Sequence, residues 1–236
     1  MTFIGILISV FLFLGCEKDE EEAPLVDMQV VQSISFNYLA LGDSYTIGTG
    51  LVNENDNYPK QLVDSLNGKH PEFDGADPRI IARNGWTTGD LLFATDTAKI
   101  DTTYQLVSLL IGVNNQFQER PIDEYSEEFE ILLNRAIQYA NNDTSRVFVL
   151  SIPDYGVTPF GSSNAEEIAE EIDMFNDVNQ SITESYGISY FNITPISRMA
   201  ADDGSLIAPD DLHPSGLMYA LWIEEIREEI QNKLVN

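Results

Sequence analysis

The sequence predicts an α/β fold: a three-layer α/β/α sandwich around a mostly parallel, flavodoxin-like central sheet. Two observations predict it. After Ser33, short apolar runs of strand length alternate with longer runs whose apolar residues recur at helical spacing. Strands that alternate with helices form βαβ units, and the resulting parallel sheet is covered on both faces. The second is size. At 236 residues, 43% of them hydrophobic and 22% charged, the chain suits one domain with a full core. No internal repeat or second-domain boundary interrupts it.

The elements follow in order. Residues 35–41 form a strand that leads into Gly42-Asp43-Ser44. Residues 58–66 form a helix with Pro59 near its start. A short strand over 79–82 precedes a helix that opens over 88–94. Residues 104–111, Tyr-Gln-Leu-Val-Ser-Leu-Leu-Ile, form a buried strand ending at Gly112. A long helix spans 125–141, with Tyr125, Phe129, Leu132, Leu133, Ala136, Ile137 and Ala140 on one face. Residues 147–152 are the next strand, stopped by Pro153. A second long helix spans 164–186, with Ile168, Ile172, Phe175 and Ile182 as its stripe and Gly187 at its C-cap. Residues 188–193 are the last strand, and Met218, Trp222, Ile226 and Ile230 mark a closing helix.

Ahead of this domain, residues 2–14 are almost wholly apolar and end in Phe13-Leu14-Gly15-Cys16. The polarity then inverts through Glu17, Lys18, Asp19, Glu20, Glu21 and Glu22. The apolar run is short for a membrane span and is closed by small residues, as in a secretory signal. With a cysteine directly after Gly15, it resembles the lipobox of bacterial lipoproteins. That resemblance implies a signal peptide over 1–15, lipidation of Cys16 and an anchor in the cell envelope, as an outer-membrane lipoprotein facing the periplasm or the cell surface. It also accounts for the single cysteine of the chain. Residues 16–33 then form an acidic flexible tether and 34–236 the folded domain.

Charge limits the partners. Twelve Lys plus Arg stand against 39 Asp plus Glu, a net charge of −27. Such a surface repels nucleic acid and anionic headgroups.

In open parallel sheets, sites form at the carboxyl ends of the strands. After the first strand stands Gly42-Asp43-Ser44-Tyr45. After the second stands Asn84-Gly85-Trp86-Thr87-Thr88-Gly89, and after the third Gly112-Val113-Asn114-Asn115. Before the last helix stands Asp210-Asp211-Leu212-His213-Pro214-Ser215. Each alone reads as a turn or loop. Together they offer a hydroxyl, an imidazole, a carboxylate and amide donors at one rim. Those are the parts of nucleophilic acyl transfer.

The four blocks, in this order, resemble those of the SGNH, or GDSL, hydrolases, and the likeness runs from about Asn37 to the C-terminus. The resemblance implies that Ser44 is the nucleophile, His213 the general base and Asp210 its acid partner. It implies an oxyanion hole from the Ser44 and Gly85 backbone N–H groups and the Asn114 side chain. No cofactor or metal is implied. Three positions depart from the family's habit. Tyr45 stands where leucine is commoner, Asn115 where aspartate often stands, and Asp211 where glycine often does.

Other chemistries fit less well. The nucleophile elbow Gly-x-Ser-x-Gly of α/β-hydrolases does not occur. Asp210, Asp211 and His213 could ligate a metal, but His70 is the only other histidine and no zinc signature is present. No glycine-rich nucleotide loop follows the first strand. A surface binding module on the same fold stays open as a non-enzymatic reading. For an enzyme, the expected substrates are short acyl or acetyl esters, small or on a glycan, with a lysophospholipase or lipase-type deacylase as the alternative. The loops expected around the acyl group are 48–57, 116–121 and 155–163, with Trp86, Phe117, Tyr155 and Phe160 as candidate lining.

Overall fold

The run expected as one strand over 35–41 folds as two. In the computed structural model, which describes residues 33–235, β1 (Ile34–Phe36) and β2 (Tyr38–Gly42) are separated at Asn37. There the chain turns to feed its backbone to Gln105: the Asn37 carbonyl accepts from the N–H groups of Gln105 and Leu106, and its N–H donates to the Gln105 side chain at 2.9 Å. Released from the main sheet, β1 pairs in parallel with β3 (Phe73–Gly75), a three-residue strand too short to be read from its composition. The expected signal peptide over 1–15, Cys16 and the tether, except for Ser33, lie outside the described residues.

The other strands are β4 (Arg79–Ala82), β5 (Leu106–Leu110), β6 (Val147–Leu150) and β7 (Ser189–Phe191). With β2 they form a five-stranded, wholly parallel sheet in the order β4-β2-β5-β6-β7. This is the flavodoxin-like order, with its reversal point between β2 and β5. Every residue of β2, β5 and β6 is buried, as expected of central strands covered on both faces. The polar side chains among them are partnered: Ser108 hydrogen-bonds the hydroxyls of Tyr38 at 2.7 Å and, from α2, Tyr58 at 3.0 Å.

The helices are α1 (Ser44–Ile47), α2 (Tyr58–Lys69), α3 (Thr88–Thr97), α4 (Val113–Phe117), α5 (Ile122–Tyr139), α6 (Ala165–Ser185), α7 (Thr194–Arg198) and α8 (Gly216–Val235). Right-handed crossovers sort the long ones into two layers. α2 packs against α8, while α3, α5 and α6 pack in a row against one another. The closing helix contributes most to its layer, burying Met218, Tyr219, Trp222, Ile223, Ile226 and Ile230. Each such side chain is worth about 1.5–3 kcal/mol when fully buried. Side-chain caps close the helix starts. The Asn57 side chain accepts from Lys60 N–H at the start of α2, Thr87 and Asp90 form a capping box on α3, and Gly187 follows α6.

Candidate active site

The rim at the carboxyl ends of β2 and β5 is where the four sequence blocks meet. β2 ends at Gly42 because the chain must pass its neighbour closely. A Cβ there would lie 2.3 Å from the Leu110 carbonyl and 2.1 Å from Thr46 Oγ1. Asp43 then caps α1, its Oδ1 accepting from Tyr45 N–H at 3.0 Å, and Ser44 is the first residue of the helix. Ser44 is 3% exposed. It lines a cavity of about 240 Å³ together with Gly85, Asn114, His213, Tyr155 and Phe160 among others.

Two connections bring the amide donors there. Gly85 follows β4 with φ at 82°, a left-handed conformation that the turn after the strand requires and that glycine adopts without strain. Asn114 lies in the first turn of α4, beyond Gly112. Its Nδ2 donates to the Trp86 carbonyl at 2.9 Å, which fixes the amide plane. An amide nitrogen carries two hydrogens, so one remains for another acceptor. Asn115 braces the same junction from behind. It is fully buried, accepts from Thr88 N–H at 3.0 Å and donates to Thr88 Oγ1 at 2.6 Å. Thr88 Oγ1 in turn donates to the Glu128 carboxylate on α5.

The histidine loop is framed by an isolated bridge between Ile207 and Pro214. Asp210 accepts from His213 Nδ1 at 2.7 Å through Oδ2, and from the backbone N–H groups of His213 (3.0 Å) and Leu212 (3.1 Å) through Oδ1. Partial burial pushes the Asp210 carboxyl upward, but these donors and the His213 charge outweigh it and hold the group below the usual carboxylate range. A carboxylate only accepts, so Nδ1 carries a proton, and in the neutral imidazole Nε2 is the acceptor. Tyr45 packs edge-on against the His213 ring with centroids 5.6 Å apart, and its own carbonyl is held by the Tyr219 hydroxyl at 2.9 Å. Among the described residues, the ring's hydrogen bond runs to Asp210, and none joins it to Ser44. Hydrogen bonds of this kind are often open before substrate arrives.

Burial also acts on Asp43. Enclosed and with Oδ2 unpartnered, its carboxyl is pushed up to about 7, although the backbone N–H groups of Tyr45, Asp43 and Gly112 oppose the shift. Among the described residues, no group of three or more His, Cys, Asp and Glu side chains is arranged to hold a metal ion.

Residues 40–221 match the model of the GDSL-like lipase/acylhydrolase family. The chain belongs to that family. It is therefore an ester hydrolase. A search of curated proteins finds no sequence match. Among solved structures, the fold is similar to TesA (TM-score 0.64, 14% identity, 84% of this chain and 99% of that one). It is similar to the psychrotrophic esterase EstA from Pseudoalteromonas sp. (TM-score 0.61, 19% identity, 85% and 99%). It is also similar to Axe2, an acetylxylan esterase from Geobacillus stearothermophilus (TM-score 0.62, 19% identity, 85% and 95%).

In this GDSL-family chain the departures from habit have local reasons. Asp211 has φ at 62°, a conformation glycine adopts freely and Asp tolerates. Phe117, Tyr155 and Phe160 line the cavity as expected, but Trp86 does not. Its backbone is engaged with Asn114 and its ring packs partly buried against the core. The loop over 48–57 is not at the cavity either. Gly50 backs onto Asp210, so close that a Cβ would lie 2.3 Å from Oδ2. Sequence reasoning also missed Glu128. It sits mid-helix with no motif around it, and only the fold brings it to Thr88.

Proposed function

We propose that the chain hydrolyses short acyl esters through Ser44, His213 and Asp210, with an oxyanion hole from the Ser44 and Gly85 backbone N–H groups and the Asn114 side chain. One observation carries the reading. Ser44, Gly85, Asn114 and His213 line a single cavity, and the His213 ring is held at 2.7 Å by Asp210 from the side away from its free nitrogen.

The chemistry follows from the atoms. Substrate closes the gap between Ser44 Oγ and His213 Nε2. Nε2 takes the hydroxyl proton as Oγ bonds to the ester carbon, and the carbonyl electrons move onto oxygen, where the three N–H donors hold them. The ester C–O bond breaks, and His213 gives its proton to the leaving alcohol. Water then repeats the sequence on the acyl-enzyme and releases the acid. Asp210 keeps the tautomer and stabilises the imidazolium.

The cavity, about 240 Å³, is small beside the ~300–1,000 Å³ of sites for larger ligands, which favours acetyl and short acyl groups over long chains. A lysophospholipase or lipase-type deacylase is the second reading within the family. Hydrolysis of p-nitrophenyl esters of increasing chain length decides between them. We expect turnover to be highest on acetyl to butyryl esters and to fall about 10³-fold or more in Ser44→Ala and His213→Ala. A well-folded wild type with no turnover above Ser44→Ala would leave only the binding module.

For the N-terminus we propose a lipoprotein signal over 1–15, a lipidated Cys16, a tether over 16–33 and residence in the cell envelope, with 34–236 as the hydrolase domain. The apolar run ending in Gly15-Cys16 supports this reading. Incorporation of labelled fatty acid that Cys16→Ser abolishes is the expected result.

A further inference from the structure

We propose that Glu128 is a positioning residue of the oxyanion hole, and that its carboxylate sets kcat by holding Asn114 in register with Gly85. The proposal rests on the hydrolase reading above and adds a residue outside all four sequence blocks. The hole draws its donors from two separate connections, Gly85 after β4 and Asn114 after β5. β2 lies between these strands, so no ladder hydrogen bond ties one connection to the other. Two clamps do so instead, side by side. In front, Asn114 Nδ2 donates to the Trp86 carbonyl at 2.9 Å. Behind, Asn115 holds Thr88 through two bonds.

The rear clamp works in one direction. The Thr88 N–H can only donate, so it fixes Oδ1 of the Asn115 amide on its side, at 3.0 Å. Nδ2 is thereby turned to Thr88 Oγ1, at 2.6 Å, and the hydroxyl must accept. Its single hydrogen then needs another acceptor. Thr88 and Asn115 are both fully buried, out of reach of water. The Glu128 carboxylate supplies that acceptor from α5. A buried hydroxyl hydrogen left without an acceptor carries a desolvation cost, which is relieved by moving Thr88 or Asn115. Each is within two residues of one half of the front clamp, so either motion displaces Asn114 against Trp86.

The surroundings of Glu128 fit this role better than a role in packing or capping. Tyr125 and Leu132, one turn to either side on α5, are buried, so Glu128 is a carboxylate at a position the helix pattern would fill with an apolar side chain. Gly89 leaves the carboxylate its room, since a Cβ there would lie 3.2 Å from Oε1. Nor does the start of α3 need the bond from Thr88 to Glu128 for a cap. The capping box of Thr87 and Asp90 already closes it.

Hydrolysis of p-nitrophenyl acetate by the full chain tests this in a double-mutant cycle. Leucine suits that face of α5 and leaves no space for a substitute water. Glu128→Leu is expected to lower kcat about 10- to 100-fold with KM within about threefold, because a displaced donor forfeits much of its hold on the oxyanion. Acylation and deacylation both pass through an oxyanion, so kcat reports the loss whichever step limits it. A hole without Asn114 has no register to lose. In an Asn114→Ala background, Glu128→Leu is therefore expected to cost less than about threefold more. Glu128→Gln keeps an acceptor for the Thr88 hydroxyl and is expected to stay within about threefold of wild type. Thr88→Val removes the hydroxyl, should repeat both the loss and the non-additivity, and carries the cycle if Glu128→Leu does not fold. The proposal is overturned if the loss is the same with and without Asn114, as a merely structural role predicts, or if Glu128→Gln loses as much as Glu128→Leu. Turnover that Ser44→Ala abolishes, with an additive cycle, removes the role of Glu128 alone. No turnover by the wild type above Ser44→Ala removes the hydrolase reading underneath, and this inference with it.

Discussion

Asp43 caps α1 with one oxygen and leaves the other buried and unpaired. Its carboxyl, raised to about 7 by burial, holds a proton more tightly in the folded chain than in the unfolded one, where its ordinary value is 3.8. The folded state therefore binds the extra proton between these two values, and stability falls as pH rises from about 4 to 7, by at most about 4 kcal/mol. Above 7 the loss is complete. Asp43→Asn keeps the capping oxygen and cannot ionise. Urea unfolding across pH 4–8 should show this part of the slope in the wild type and not in the variant. Asn115 poses a related question. Its amide donates to Thr88 Oγ1, whose single hydrogen is given to Glu128. An aspartate at 115 would compete with Glu128 for that hydrogen and bury a second carboxylate beside it. Asparagine at 115 leaves that hydrogen to Glu128. Asn115→Asp should cost about 1–3 kcal/mol and reduce kcat, and Glu128→Gln should restore part of both in a double-mutant cycle.

At the scale of elements, the loop that carries Tyr155 and Phe160 is pinned by α6 and α7. Asp154, with a side chain only 1% exposed, accepts from Arg198 at 2.9 Å through Oδ2 and from Gly156 N–H at 2.8 Å through Oδ1. Arg198 also reaches Asp173 on α6 at 2.8 Å. Arg198→Met strands the buried carboxylate. Because the guanidinium is 36% exposed, the cost should be about 2–3 kcal/mol rather than the ~3–5 of a fully buried pair. Urea unfolding measures that loss, and KM for small esters should rise as the loop loosens. None of this could be read from the sequence, since Asp154 and Arg198 meet only across the fold. The five sheet strands are legible because continuous apolar runs bounded by turn residues have few other solutions. β3, α4 and α7 are not, because three to five residues carry no period, and tertiary contacts alone hold them. The split at Asn37 is hidden for the same reason: one apolar run serves two sheets. The gathering of Ser44, Gly85, Asn114 and His213 at one cavity is legible because three of them follow strand ends, where parallel topology collects them, and because the four blocks resemble those of a known family. The braces behind it, Glu128 and Arg198, lie within helices, where a charged residue is ordinarily just solvated.

At the scale of the molecule, a net charge of −27 should bias which esters approach. The field of such a surface extends about 30 Å at 0.01 M salt and about 8 Å at 0.15 M. An anionic ester approaching the rim at low salt meets unscreened repulsion over its whole path, whereas a neutral one meets none. The specificity constant kcat/KM for a carboxylate-bearing ester should therefore rise at least severalfold between these salt concentrations, and that for p-nitrophenyl acetate should stay nearly flat. Repulsion that acts on encounter changes KM more than kcat, so the rise should lie in KM. A flat response for the anionic ester would mean that the charge sits away from the approach path. A matched rise for both esters would point to salt acting on the fold, through relief of the self-repulsion of so acidic a chain, and a melting curve at each salt concentration separates the two.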